Sequence, residues 1–108
     1  MTSALEALEI KPDRDRVIVC PAGEIDLANA STLQETVVEL LERGFGCVVI
    51  DLRGVTFLDS SGIRALILSH NRAQELGART PVILGGPCTR RPLEITGVLD
   101  YLDIDPTG

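Results

Sequence analysis

The stretch Cys47-Val48-Val49-Ile50-Asp51-Leu52 constrains this chain more than any other. A nearly continuous apolar run of this kind has no polar face to turn towards water. It is the pattern of a central strand covered on both faces, and such strands belong to sheets flanked by helices. The composition agrees with a core of that type. Apolar residues make up 44% of the 108-residue chain but aromatics only 3%, so the core must be built from Leu, Ile, Val and Ala. A chain of this length is expected to form one domain, residues 1–108, burying roughly two-thirds of its accessible surface on folding.

The segments around that run alternate between strand and helix signals. Ala4 to Ile10 reads as an edge strand, followed by a polar turn over Lys11-Pro12-Asp13-Arg14-Asp15. Arg16 to Pro21 reads as a strand ending at Ala22-Gly23. Asp26 is expected to be the N-cap of a helix whose apolar positions Ala30, Leu33, Val37, Leu40 and Leu41 share one face, with Gly44 as the stop. Beyond the apolar run, Arg53 to Leu58 leads into a second helix predicted over Ser60 to Leu76. Its inward positions are Ile63, Leu66, Ile67 and Ala73, and Gly77 ends it. Pro81 to Leu84 is a further buried strand, closed by Gly85-Gly86-Pro87. Thr89 is expected to cap a short helix carrying Leu93 and Ile95, ended by Gly97, and Tyr101 to Asp105 reads as a short strand or helical turn. This alternation predicts an α/β layer fold. The short turn between the first two strands makes the sheet mixed.

Charge and cysteine usage exclude several classes of function. A net charge of −6 argues against a nucleic-acid backbone as partner, because neutralising phosphates needs a basic patch. No window approaches the ~20 apolar residues of a membrane helix. The N-terminus also lacks the basic-then-apolar order of a secretory signal. A soluble cytoplasmic protein is therefore expected, without membrane insertion. Cys20, Cys47 and Cys88 show no metal-ligand spacing and no disulfide framework. Cys20 and Cys47 fall in strand patterns, where a reduced cysteine acts as a small hydrophobe.

Catalysis is not expected either. The one histidine, His70, lies ten residues along the second helix from Ser60, about 15 Å at 1.5 Å per residue. That is too far to act as a base for the serine, and its position on the apolar stripe points to packing. Glu24, Asp26 and Asp59 sit at turns and caps, where carboxylates are ordinary. Gly85-Gly86-Pro87 is a weak signal for a phosphate cradle. No catalytic residue, metal ligand or cofactor emerges.

Asp59-Ser60-Ser61-Gly62 remains, a serine hydroxyl beside a carboxylate at a helix start. On the residues alone it is either a helix cap, worth about 1 kcal/mol, or a phosphate acceptor. Taken with Gly23-Glu24-Ile25-Asp26 before it and Arg90-Arg91-Pro92-Leu93-Glu94-Ile95-Thr96-Gly97 after it, the chain resembles the STAS domain family, over about residues 5 to 106. Within that family the likeness is to the bacterial anti-sigma factor antagonists.

The resemblance implies a small mixed sheet of about four or five strands with helices packed mainly on one side. It implies a regulator, not an enzyme. The unphosphorylated form binds an anti-sigma factor, itself a serine kinase, and frees a sigma factor. Phosphorylation of the first serine after the aspartate, here Ser60, ends the binding, and a metal-dependent serine phosphatase restores it. Ser61 is the competing acceptor. Asp26, Asp59, Ser61, Gly62, Arg64 and Leu68 are the neighbouring candidates for partner binding. Arg64 departs from the small residue often found there in the family, and stands where it can partly neutralise a phosphate on Ser60. A helix N-terminus offers free N–H groups to that phosphate. Ser61, Arg64, Ala65, Leu68 and Arg72 form a stripe beside the core stripe, with Leu68 expected to be exposed. The resemblance leaves two other roles open: a STAS subunit of a membrane phospholipid-transport ATPase complex, or a scaffold protein of a stress-signalling assembly.

Overall fold

The computed structural model describes residues 5–106. Strands β1 (Leu5–Asp13) and β2 (Arg16–Ile25) form an antiparallel hairpin that turns at Arg14-Asp15, with Arg14 at φ 60°. The turn is shorter than the sequence predicts. Lys11, Pro12 and Asp13 stay paired with Ile18, Val17 and Arg16, because an edge strand tolerates a proline that donates no hydrogen bond. Ala4, expected in this strand, lies outside the described residues.

Strand β2 also runs beyond the end expected at Ala22-Gly23. Val17–Val19 pair in parallel with β3 (Val48–Asp51), and Ala22–Ile25 pair in parallel with β4 (Gly54–Leu58). Pro21 falls in the interval between the two partners, where the ladder is interrupted. Gly23, at φ 98°, sits beside an irregularity in the β4 register. Residues that read as a strand stop therefore mark a change of partner. The sequence pattern does not single out β4, since only Val55 and Leu58 of its five residues are buried. With β5 (Val82–Ile83) parallel to β3, the order is β1-β2-β3-β5, and β4 continues along β2 beyond β3. Ile104 adds a parallel bridge to Val82 at the far edge.

The described residues form three α-helices, α1 (Ala30–Glu42), α2 (Ser60–Glu75) and α3 (Pro87–Ile95). Alternate residues of β2 show where they lie. Val17, Val19 and Ile25 are buried in one cluster with Leu33 and Val37 of α1 and Leu66 of α2, whereas Ile18, Cys20 and Ala22 on the other face are half-buried. The helices thus pack mainly on one side of a mixed five-stranded sheet. Each fully buried aliphatic side chain in this cluster contributes about 1.5–3 kcal/mol. An ion pair from Arg72 to Glu42 at 2.9 Å ties α2 to the end of α1.

Two expected caps act differently. The N-cap of α1 is Asn29, not Asp26. Asp26 instead closes the tight turn ahead of the helix: its carbonyl accepts from the N–H groups of Asn29 and Ala30, and its Oδ1 accepts from the Ala28 N–H at 3.0 Å. The N-cap of α3 is Gly86, and the buried Thr89 lies inside the helix. Thr89 Oγ1 accepts from the Gly85 N–H and donates to the Gly86 carbonyl, holding the Gly85-Gly86 loop against the first turn. Of the two apolar residues on this helix, Leu93 is fully buried and Ile95 is 78% exposed. The tail forms a 3₁₀ turn over Val98–Asp100, with Tyr101 ring-packed on His70. A packing role for His70 fits that contact.

Candidate functional site

Strands β2 and β4 end side by side, with Ile25 opposite Leu58 and the Asp59 N–H donating to the Ile25 carbonyl at 3.2 Å. The residues that follow, Asp26 and Asp59, therefore leave the sheet at the same end. After Asp26 the chain turns into α1; after Asp59 it enters α2 directly. This shared end is what brings the two sequence-predicted segments together.

Asp59 is the N-cap of α2. Its extended backbone lets Oδ1 accept from the N–H groups of Ser61, at 2.8 Å, and Gly62, at 3.2 Å. Its carbonyl accepts the first helical bond, from Ile63. Ser60 is consequently the first residue of the helix and not its cap. Its side chain is exposed and makes no hydrogen bond among the described residues. Of the two roles open to Ser60, the structure excludes the cap, which is the Asp59 carboxylate. One expectation changes with it. Two of the N–H groups at the start of α2 are already occupied by Asp59, so the helix start is not an open anion site.

Gly62 is buried because α2 begins very close to the sheet. A Cβ at this position would collide with Leu58 Cδ1 and lie 2.9 Å from Ile25 Cγ2. Glycine here lets the helix start pack directly on the ends of β2 and β4, which sets the height at which Ser60 emerges.

Ser60 stands on the ridge between two grooves. One, of about 470 Å³, is lined by Ser60, Ser61, Ile63, Arg64, Ile67 and Leu68. It gathers three of the expected neighbours of Ser60 on one helix face. The other, of about 490 Å³ and mostly apolar, runs between α2 and α3, where Leu58, Ile63, Pro92 and Ile95 form its walls and Asp59, Ser60 and Arg91 its rim. Two stripe assignments need correction. Ala65 is buried, because α2 is covered by the core on that side, and Leu68 is half-buried rather than exposed. Arg64 is exposed.

Two apolar surface residues were not singled out for the site from the sequence: Leu27, 83% exposed on the turn after Asp26, and Ile95 in the wall of the α2–α3 groove. Leu27 stands three residues before Ala30, a helical spacing, so its sequence position does not mark it as exposed. Ile95 lies two residues beyond Leu93, on the opposite side of a helix with about 3.6 residues per turn, and so off the buried Thr89–Leu93 stripe, a signal present in the sequence.

The cysteines do not join the site as metal ligands. Among the described residues no cluster of His, Cys, Asp or Glu could hold a metal ion, and all three cysteines are free. Burial pushes the Cys20 and Cys47 thiols up, which keeps them protonated as small hydrophobes. No helix among the described residues is long and apolar enough to cross a membrane.

Comparison with known proteins places these features in a family. The chain belongs to the STAS domain family, whose sequence profile matches residues 7–107. It is 34% identical over 76 residues to the anti-sigma-F factor antagonist RsfB of Mycobacterium tuberculosis; the match covers 70% of this chain but only 62% of that relative's length. It is 31% identical over 102 residues to the anti-sigma-B factor antagonist of Listeria monocytogenes, covering 91% of this chain and 87% of the relative. The crystal structure of an anti-sigma factor antagonist from Mycobacterium paratuberculosis superposes with a TM-score of 0.83 at 27% identity, covering 93% of this chain and 85% of that one. The unphosphorylated form of the antagonist SpoIIAA shares the fold, with a TM-score of 0.76 at 17% identity, covering 92% of this chain and 88% of that one.

Proposed function

We propose that this protein is an anti-sigma factor antagonist, switched by phosphorylation of Ser60. The observation that carries the reading is the division of labour at the start of α2: Asp59 takes the capping role and leaves the Ser60 hydroxyl exposed, without a hydrogen bond among the described residues. A serine needed to hold a helix start together is a poor acceptor, because modification would break its cap. Ser60 carries no such duty.

In the unphosphorylated state the two grooves beside Ser60 and the turn bearing Asp26 and Leu27 form the docking face for the anti-sigma factor. The apolar groove and the exposed Leu27 and Ile95 supply area to bury; Ser60 sits at the centre. Kinase action transfers the γ-phosphoryl group of ATP to Ser60 Oγ, releasing ADP and the hydroxyl proton. The new group carries about −1.5 to −2 charges and three strong acceptor oxygens. A partner surface seated flush against it would have to desolvate a dianion for which it offers no counter-charge, a cost of several kcal/mol that ends binding. The fold need not change, since Ser60 Oγ bonds to nothing that must be broken. A serine phosphatase, bringing its own metal, reverses the step by hydrolysis. Ser61 is half-buried where Ser60 is exposed, which makes it the poorer acceptor. The setting is the bacterial cytoplasm, where sigma factors act.

The test is intact mass after incubation with ATP and the serine kinases of the source organism, comparing wild type with Ser60→Ala. One added phosphate in the wild type and none in the variant is expected. Equal uptake by both would remove Ser60 from the mechanism.

A further inference from the structure

The pairing pattern of the arginines points beyond the acceptor to what receives the phosphate. The chain has nine arginines. Arg16, Arg43, Arg53, Arg72 and Arg79 are each held by a carboxylate within 4.0 Å. Arg14, Arg64, Arg90 and Arg91 make no ion pair among the described residues, although acidic residues outnumber basic ones by 16 to 10. Arg14 lies at the far hairpin. The other three lie on α2 and α3.

Their placement relative to Ser60 separates them. Arg64 lines the groove on one side of Ser60, and Arg91 lines the groove on the other. Arg90 shares only the outer depression of α3 with Arg91, facing Gly85, Pro87 and Glu94, and does not reach the Ser60 groove. The α2 backbone is a weak receptor for a phosphate on Ser60, because Asp59 already accepts from the Ser61 and Gly62 N–H groups and adds a like charge. A dianion there needs cations from side chains.

We propose that Arg91 of α3, together with Arg64 of α2, binds a phosphate on Ser60 within the same molecule, so that phosphorylation draws the Arg91 side chain across the α2–α3 groove and covers it. Guanidinium groups suit this task, since their planar fork matches two phosphate oxygens at once. The switch then acts in two ways, by charge on the ridge and by occupation of the groove that the partner uses. This inference rests on the reading of Ser60 as the acceptor.

The test uses the full chain with phosphoserine placed at position 60 during synthesis, so that no kinase is needed. The second ionisation of the phosphate is followed by its phosphorus chemical shift across pH 4 to 8, roughly centred on the ordinary value near 6. Nearby cations favour the dianion, and Asp59 opposes them equally in every variant. Arg91→Ala is expected to raise that pKa by about 0.3 unit or more, Arg64→Ala likewise, and the double variant by more than either. Arg90→Ala is the control and should leave it unchanged. All three side chains are exposed, so the variants should fold as the wild type does. A titration unchanged by Arg91→Ala, or moved as much by Arg90→Ala, would overturn the assignment. Because the phosphate is preinstalled, this result is independent of whether a kinase reaches Ser60. A correct clamp with no phosphate uptake from any kinase would sink the proposed function alone.

Discussion

Replacing Asp59 and Ser60 separately distinguishes a residue that holds the site from one that acts in it. Asp59→Ala strips the partners from two N–H groups, those of Ser61 and Gly62, at the start of a 16-residue helix. Loss of an N-cap costs about 0.5–2 kcal/mol. Here the cap is charged, part-buried and doubly bonded, so the upper half of that range applies, about 1–2 kcal/mol. Asp59→Asn keeps the acceptor but loses the charge facing the helix dipole, about 0.3–1 kcal/mol. Ser60→Ala removes an exposed hydroxyl with no hydrogen bond among the described residues, and should stay within about 0.5 kcal/mol of wild type. Urea unfolding followed by circular dichroism measures all three. With a slope of about 1–3 kcal/mol per molar urea, Asp59→Ala lowers the midpoint by about 0.3–2 M, at least about twice any shift caused by Ser60→Ala. A destabilised Ser60→Ala beside an unaffected Asp59→Ala would show that the serine is the cap, and the case for Ser60 as a free acceptor would fail.

Gly62→Ala forces a methyl group against Leu58 and Ile25; despite the better helix propensity of alanine it should destabilise by about 1–2 kcal/mol, and a stabilised variant in the same urea assay would show that α2 can lift freely from the sheet. Asp51 is held below its ordinary value, chiefly by side-chain hydrogen bonds from Arg53. A depressed folded-state pKa gives stability that is present above the ordinary value of 3.8 and lost as pH falls through the lower one. Asp51→Asn should therefore be less stable than wild type at pH 7, by up to about 1 kcal/mol since Arg53 is exposed, with the gap closing at acid pH; a gap that widens on acidification contradicts this. Cys88 is exposed while Cys20 and Cys47 are half-buried with raised thiol pKa values, so an aromatic disulfide reagent should modify one cysteine quickly and the others only slowly, and three equal rates would refute the assigned burial.

Much of this architecture can be read from residues whose neighbours in sequence are also their neighbours in structure. The α1 stripe of Ala30, Leu33, Val37, Leu40 and Leu41 is buried as its spacing predicts, and β3 is as enclosed as its apolar run requires. Reading fails where tertiary partners override local signals. Pro21 and Gly23 look like a strand end but fall where β2 exchanges β3 for β4. Strand β4 has too few buried residues to show a pattern. Asp26 has the chemistry of a cap and closes a turn instead, because Asn29 stands between it and the helix. At the site, the Asp-Ser-Ser-Gly segment locates the start of α2, but only the geometry decides which oxygen caps it. Arg91 lies thirty-one residues from Ser60, and no local pattern connects the two.

The measurement closest to the central claim is the affinity of this protein for an anti-sigma factor kinase of its source organism, by titration calorimetry. It is made once with serine at position 60 and once with phosphoserine. The account predicts tight binding of the serine form and a loss of at least about 100-fold, roughly 2.7 kcal/mol, on phosphorylation. Equal affinity of the two forms would contradict it.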